Sequence, residues 1–195
     1  AFFPHRRPVA AEENHPDFLR FYRAHLHKLA RTEGAQRLVL KNNELVGRIP
    51  WLAKAFPGAR FVVPVRGPAA QVGSLMRQHA RFVAMSRDNP RIPGYLAALG
   101  HTEFGPGRRP PDAATPEKAE RIAALWAAGE EARGWAAAWA AVYGRAAEVA
   151  ALDSVRLVSH EALCADPRAA LDALSLFTGL PREAPAEGLA SPPHG

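Results

Sequence analysis

Apolar side chains return at helical spacing through residues 14–33, where Phe18, Leu19, Tyr22, Leu26 and Ala30 fall on one stripe. Asn14 offers a cap and Gly34 a stop. The run RLVLK at 37–41 is short, apolar and of strand length. Helical spacing resumes over 44–56 through Leu45, Ile49, Leu52, Ala53 and Phe56, and Pro57-Gly58 ends it. RFVVPV at 60–65 predicts a second strand, and its Pro64, unable to donate to a ladder, belongs near a strand end or bulge. A helix follows from Pro68 to about Met85, with Val72, Leu75, Met76 and His79 on one stripe. Residues 88–116 are rich in Pro, Gly and Arg and predict an irregular surface excursion of the kind that often carries function. An Ala-rich helical pattern then runs to about residue 151, with Gly129 and Gly134 as points where it loosens or breaks. VRLVS at 155–159 is a third strand, and 166–178 a last helix closed by Gly179.

Short apolar strands alternating with helices predict an α/β fold: a three-layer parallel sheet with helices on both faces. Residues 1–181 fit a single, partial domain, and 182–195, rich in Pro, Ala and Gly, predict a disordered tail. In such sheets ligands gather beyond the carboxyl ends of the strands, so the residues after Leu40, Val65 and Val158 come first under scrutiny.

Composition narrows the partners. With 195 residues, 48% hydrophobic and 23% charged, the chain has the balance of a soluble globular protein. Its net charge of +6 favours an anionic partner, which leaves nucleic acid, membrane lipid and a nucleotide-like small molecule open. Cys164 stands alone, which excludes an internal disulfide framework and points to a reducing, cytoplasmic compartment. No run of about 18 uncharged apolar residues predicts a membrane span. The start has neither a signal-peptide order nor a Met, and predicts a piece of something longer. His5, His15, His25 and His27 do not share a helix face or a carboxylate cluster, so no metal is expected.

Chemistry concentrates after the second strand. Arg66 lies where strand gives way to loop, and Ser74 falls about two turns into the next helix. Helical side chains lean toward the N-terminus, so this hydroxyl can point back toward the space Arg66 reaches. With the free helix amides the pair forms an anion site. The competing reading pairs Arg66 with a carboxylate and leaves Ser74 without a role.

The run from Leu38 to Phe82 resembles the sulfotransferase family: Lys41-Asn42 after a strand, Arg48-Ile49-Pro50-Trp51-Leu52, Phe56-Pro57-Gly58-Ala59-Arg60-Phe61, then Arg66-x-Pro68 with Ser74 eight residues on. His160-Glu161-Ala162-Leu163 through Asp166-Pro167 is similar to the family's strand-to-helix ending, and the resemblance spans roughly residues 36–85 and 135–181. It implies a fold like that of the P-loop nucleotide hydrolases, a donor of 3′-phosphoadenosine 5′-phosphosulfate (PAPS), and a 3′-phosphate held by Arg66 and Ser74. Three features depart from the family. Gly67 stands where the family has an acidic residue or Asn, Lys41-Asn42-Asn43 replaces Lys-x-Pro, and no Gly-rich loop for the 5′-phosphosulfate precedes Asn14. The last departure predicts a domain truncated at its N-terminus, one that would hold the donor weakly and turn over poorly by itself.

Sulfuryl transfer needs cations around the donor, an in-line acceptor and a base. Lys41 is the candidate for the transferred group, with a surface lysine as its rival. His101 and Glu103, in the excursion, and His79, on the helix after Ser74, are the candidate bases. Their rival roles are loop stabilisation for the first two and packing for His79. Trp126, Trp135 and Trp139 fit core and groove packing, or one of them an adenine contact. The expected enzyme moves a sulfuryl group to a hydroxyl or amine of a small-molecule, lipid or carbohydrate acceptor, without metal. The alternatives are a basic nucleic-acid-binding module, disfavoured by scattered basic residues, and a truncated P-loop kinase or NTPase-like domain.

Overall fold

Prolines open much of the helical structure. In the computed structural model, which describes residues 7–99 and 101–181, Pro16, Pro68, Pro116 and Pro167 are the first residues of α1 (Pro16–Thr32), α3 (Pro68–Asp88), α5 (Pro116–Ala127) and α8 (Pro167–Thr178). At a first helical position the missing N–H costs nothing and the fixed φ already suits the helix. Between them lie α2 (Ile49–Ala55), α4 (Ile92–Ala98), α6 (Glu131–Val149) and α7 (His160–Ala165).

Two strands, β1 (Phe61–Val65) and β2 (Val155–Ser159), pair in parallel with Phe61 opposite Val155 and Val65 opposite Ser159. Arg66 and His160 therefore leave the sheet side by side at its carboxyl end. On one face Val63 and Val155 pack against Ile49 of α2 and Ala146 and Val149 of α6. On the other, the Arg60 and Arg156 guanidiniums lie 5.9 and 5.2 Å from the ring centre of Phe177 in α8. A second core joins Ile122 and Trp126 of α5 to Trp135, Ala138 and Ala141 of α6, with Val72, Leu75 and Met76 of α3 against it. A third joins Trp51 and Leu52 of α2 to Phe18, Leu19 and Tyr22 of α1.

The protein is a helix-rich α/β molecule with a small parallel sheet, and the first of the three expected strands, at 37–41, is not formed. That run has strand composition but no ladder partner among the described residues. Arg37 instead donates to the Thr178 and Gly179 carbonyls at the end of α8 (3.0 and 2.9 Å), and Val39 is 78% exposed. The helix expected over 44–56 opens as a 3-10 turn, Leu45–Arg48, before α2. Part of the excursion is helical (α4). The long Ala-rich pattern divides at Gly129, where φ is +75°, and not at Gly134. The tail expected over 182–195 lies outside the described residues.

Candidate functional site

The junction between β1 and α3 is held by side chains from two distant elements. The Arg66 carbonyl accepts from Trp139 Nε1 of α6 (3.1 Å), and the Gly67 N–H donates to Glu161 Oε1 of α7 (2.8 Å). Both groups belong to one peptide unit, so its plane is fixed from two sides. Glu161 is fixed in turn, because Ser159 Oγ donates to its other oxygen (3.1 Å) while capping α7 through the Ala162 N–H. The Gly67 amide holds the Glu161 carboxyl below the ordinary range for such groups.

Several groups at this junction have no partner. Among the described residues, the Arg66 guanidinium and the Ser74 hydroxyl make no hydrogen bond or ion pair with protein. The first intrahelical bond of α3 runs from the Gln71 N–H to the Gly67 carbonyl (3.0 Å). Pro68 has no N–H and the Gly67 amide is taken by Glu161, so the backbone donors left at this helix end are Ala69 and Ala70. That is a thinner set of amides than the sequence implied.

Beside the junction opens a cavity of about 600 Å³. Leu40, Leu45, Val46, Leu75 and Phe104 give it apolar walls, while Lys41, Gln71, Glu103 and Arg109 bring polar ends to its lining. Trp139 and Tyr143, whose rings lie 4.8 Å apart, complete the wall on the α6 side. Trp139 thus lines the cavity and also grips the Arg66 carbonyl, so cavity and junction share a side chain. Burial raises the Tyr143 phenol above its usual range, and Arg66 beside it acts the other way.

A family model described as "Sulfotransferase family" matches residues 3–100, half of the 195-residue chain. The chain belongs to the sulfotransferase family. No curated protein and no solved structure matches it. The sulfotransferase match contains Lys41, Arg66, Ser74 and His79, and it stops short of His101, Glu103, Trp139 and Glu161. Family membership places the chemistry among group transferases.

For a sulfotransferase, the candidate bases fall in different settings. Glu103 lines the cavity, and His101 Nδ1 lies 3.6 Å from its Oε1 on the outer, exposed side. His79 is not part of the lining. Its Nδ1 accepts the Gly105 N–H (3.2 Å) and its ring lies against Trp135, with centres 5.9 Å apart. Burial first, then the nearby Arg108 charge, push the His79 imidazole below its ordinary range, and Glu131 opposes them. Arg108 itself forks onto both Glu131 oxygens and lies 4.4 Å from the centre of the Trp126 ring. Lys41 reaches the cavity from an extended segment, although the strand expected to carry it is absent.

Among the described residues no group of three or more His, Cys, Asp and Glu converges to hold a metal, and no helix is long and apolar enough to cross a membrane. Sequence reasoning gave no role to Glu161 and treated Trp139 as packing or an adenine contact. The signal for Glu161 was its place just beyond β2, at the sheet edge where ligand-site residues collect. Nothing in the sequence paired it with Gly67, 94 positions earlier.

Proposed function

We propose that the protein transfers a sulfuryl group from PAPS to a hydroxyl or amine acceptor, with Arg66 and Ser74 holding the donor's 3′-phosphate. The observation that carries this reading is the pair of unpartnered groups at the carboxyl end of β1 and in the first turns of α3, in a chain of the sulfotransferase family. A planar guanidinium can fork onto two phosphate oxygens, and a hydroxyl can donate to a third. PAPS, when bound, supplies the electrophilic sulfur and a leaving phosphate.

The acceptor enters the neighbouring cavity, whose apolar walls suit a molecule with a hydrocarbon or aromatic body. Lys41, at the cavity, offsets negative charge on the transferred group. Glu103 takes the acceptor's proton as its oxygen or nitrogen bonds to sulfur, and His101 beside Glu103 stabilises the carboxylate until then. His79 serves the site indirectly by holding Gly105, and with it the segment that bears Glu103.

Calorimetric titration with adenosine 3′,5′-bisphosphate tests the donor site. A charged hydrogen-bonding partner contributes on the order of 1.5–3 kcal/mol, so Arg66→Ala should weaken binding roughly tenfold or more and Ser74→Ala by a smaller factor. Both variants should keep the circular dichroism of the parent. Unchanged affinity in Arg66→Ala would overturn the assignment. A nucleic-acid site would instead lose affinity steeply between two salt concentrations.

A further inference from the structure

Resting on the donor site just described, we propose that Glu161, with Trp139, is a positioning residue that holds Arg66 and Ser74 in one relative geometry by locking the Arg66–Gly67 peptide that links β1 to α3. Neither residue need touch the ligand. A free loop peptide at a strand end can rotate between two orientations by changing the ψ of one residue and the φ of the next. Rotation about these two angles would swing the Arg66 carbonyl and change how α3, which carries Ser74, leaves the end of β1 beside Arg66. The two bonds that prevent this come from elements far apart in sequence. Trp139 Nε1 of α6 takes the carbonyl at 3.1 Å, and Glu161 Oε1 of α7 takes the amide at 2.8 Å.

Three further observations agree with this role. Ser159 Oγ donates to Glu161 Oε2 at 3.1 Å, and the sheet register sets Ser159 opposite Val65, so the clamp is referenced to the strand that precedes Arg66. A Cβ at position 67 would lie 3.3 Å from Glu161 Oε1, a tight approach, so glycine at this position lets the carboxylate come close. Glu161 is exposed, yet its carboxylate is not left to solvent. Its two oxygens are turned instead to an amide and a hydroxyl.

The test measures bisphosphate affinity of the full chain by calorimetry for the parent, Glu161→Ala, Glu161→Gln, Trp139→Phe, Arg66→Ala and the Glu161→Ala/Arg66→Ala double variant. Loss of a positioning bond should weaken binding about tenfold in Glu161→Ala, and Trp139→Phe, which keeps a ring but loses the donor, should fall in the same direction. Glu161→Gln retains an acceptor for the Gly67 N–H and should restore most of the affinity. Because Glu161 acts through the relative placement of Arg66 and Ser74, the Glu161→Ala effect should shrink sharply in the Arg66→Ala background, where one of the two groups is gone, a non-additivity that general destabilisation does not produce. Amide exchange at Gly67, followed by NMR without ligand, should quicken in Glu161→Ala. If Arg66→Ala binds weakly while Glu161→Ala and Trp139→Phe bind like the parent, the clamp is refuted and the donor site stands. If Arg66→Ala binds like the parent, or the parent binds nothing, the donor site falls and the positioning role falls with it.

Discussion

His79 is the residue whose protonation state the packing decides most directly. Its Nδ1 must keep a lone pair to accept the Gly105 N–H, and both burial and the Arg108 charge oppose a proton on the ring. The folded pKa therefore lies below the ordinary value of 6.5. As pH falls past 6.5 the unfolded chain takes up this proton first, so the stability tied to neutral His79 is present above 6.5 and is lost as pH drops through the lowered folded value. Thermal midpoints between pH 8 and pH 5 should fall more steeply for the parent than for His79→Gln, which cannot titrate. Parallel curves would show that the imidazole is not the sensor. At this scale the sequence offered candidate groups but not their pairings. Arg66, Ser74, Lys41 and Glu103 could be nominated from their place after strands or in the excursion. The partners of His79 and Glu161 could not, since Gly105 and Gly67 offer only backbone, and backbone has no signature in composition.

The α5–α6 hairpin shows how one element pair depends on a single missing methyl. Gly129 turns the chain with a φ of +75°, which a residue with a Cβ adopts only under strain. Gly134 has a different task. A Cβ there would stand 2.3 Å from Trp126 Cδ1, closer than any real contact, because the indole lies flat on the α6 backbone. Gly134→Ala must push Trp126 away from Trp135, whose ring centre is 4.9 Å off, and disturb the Arg108 guanidinium stacked on both. Overpacking of this kind costs about 1–3 kcal/mol or more. Urea unfolding of Gly134→Ala should show a loss of at least that order, whereas alanine in place of Gly144, which has nothing within 4 Å of an added Cβ, should stabilise α6 slightly through helix propensity. Helical periodicity made these elements legible, because a stripe repeating every 3.6 residues survives any tertiary context. The 37–41 run was misread because β-propensity reports an apolar extended segment, while a strand also needs a neighbour to bond to.

At the scale of the whole molecule, the excursion over 88–116 is tied to the segment that opens α2 by a largely buried ion pair. Arg48 Nη2 donates to Asp112 Oδ2 at 2.6 Å, with side chains only 15% and 5% exposed. The Asp112 N–H donates in turn to Glu44 Oε2 at 3.1 Å, and the backbone at 112–113 packs within 3.4 Å of where a Gly47 side chain would begin. The same excursion supplies Glu103, Phe104 and Arg109 to the cavity wall, so on the proposed mechanism its docking decides whether base and acceptor meet. Removing one partner of a largely buried pair weakens the compensation of the other charge and can cost up to about 3–5 kcal/mol. Asp112→Ala should therefore lose stability of that order in urea unfolding, and Arg48→Met/Asp112→Ala, which removes both charges, should recover part of it. The two halves of the site should also separate in this variant. On the proposed reading bisphosphate binding rests on Arg66 and Ser74, to which residues 88–116 make no hydrogen bond or ion pair among the described residues, so it should stay within about twofold of the parent at temperatures where the protein is folded. Acceptor turnover, which on the proposed mechanism needs Glu103 in place, should fall much further. Equal losses in both would mean that the excursion also supports the donor site.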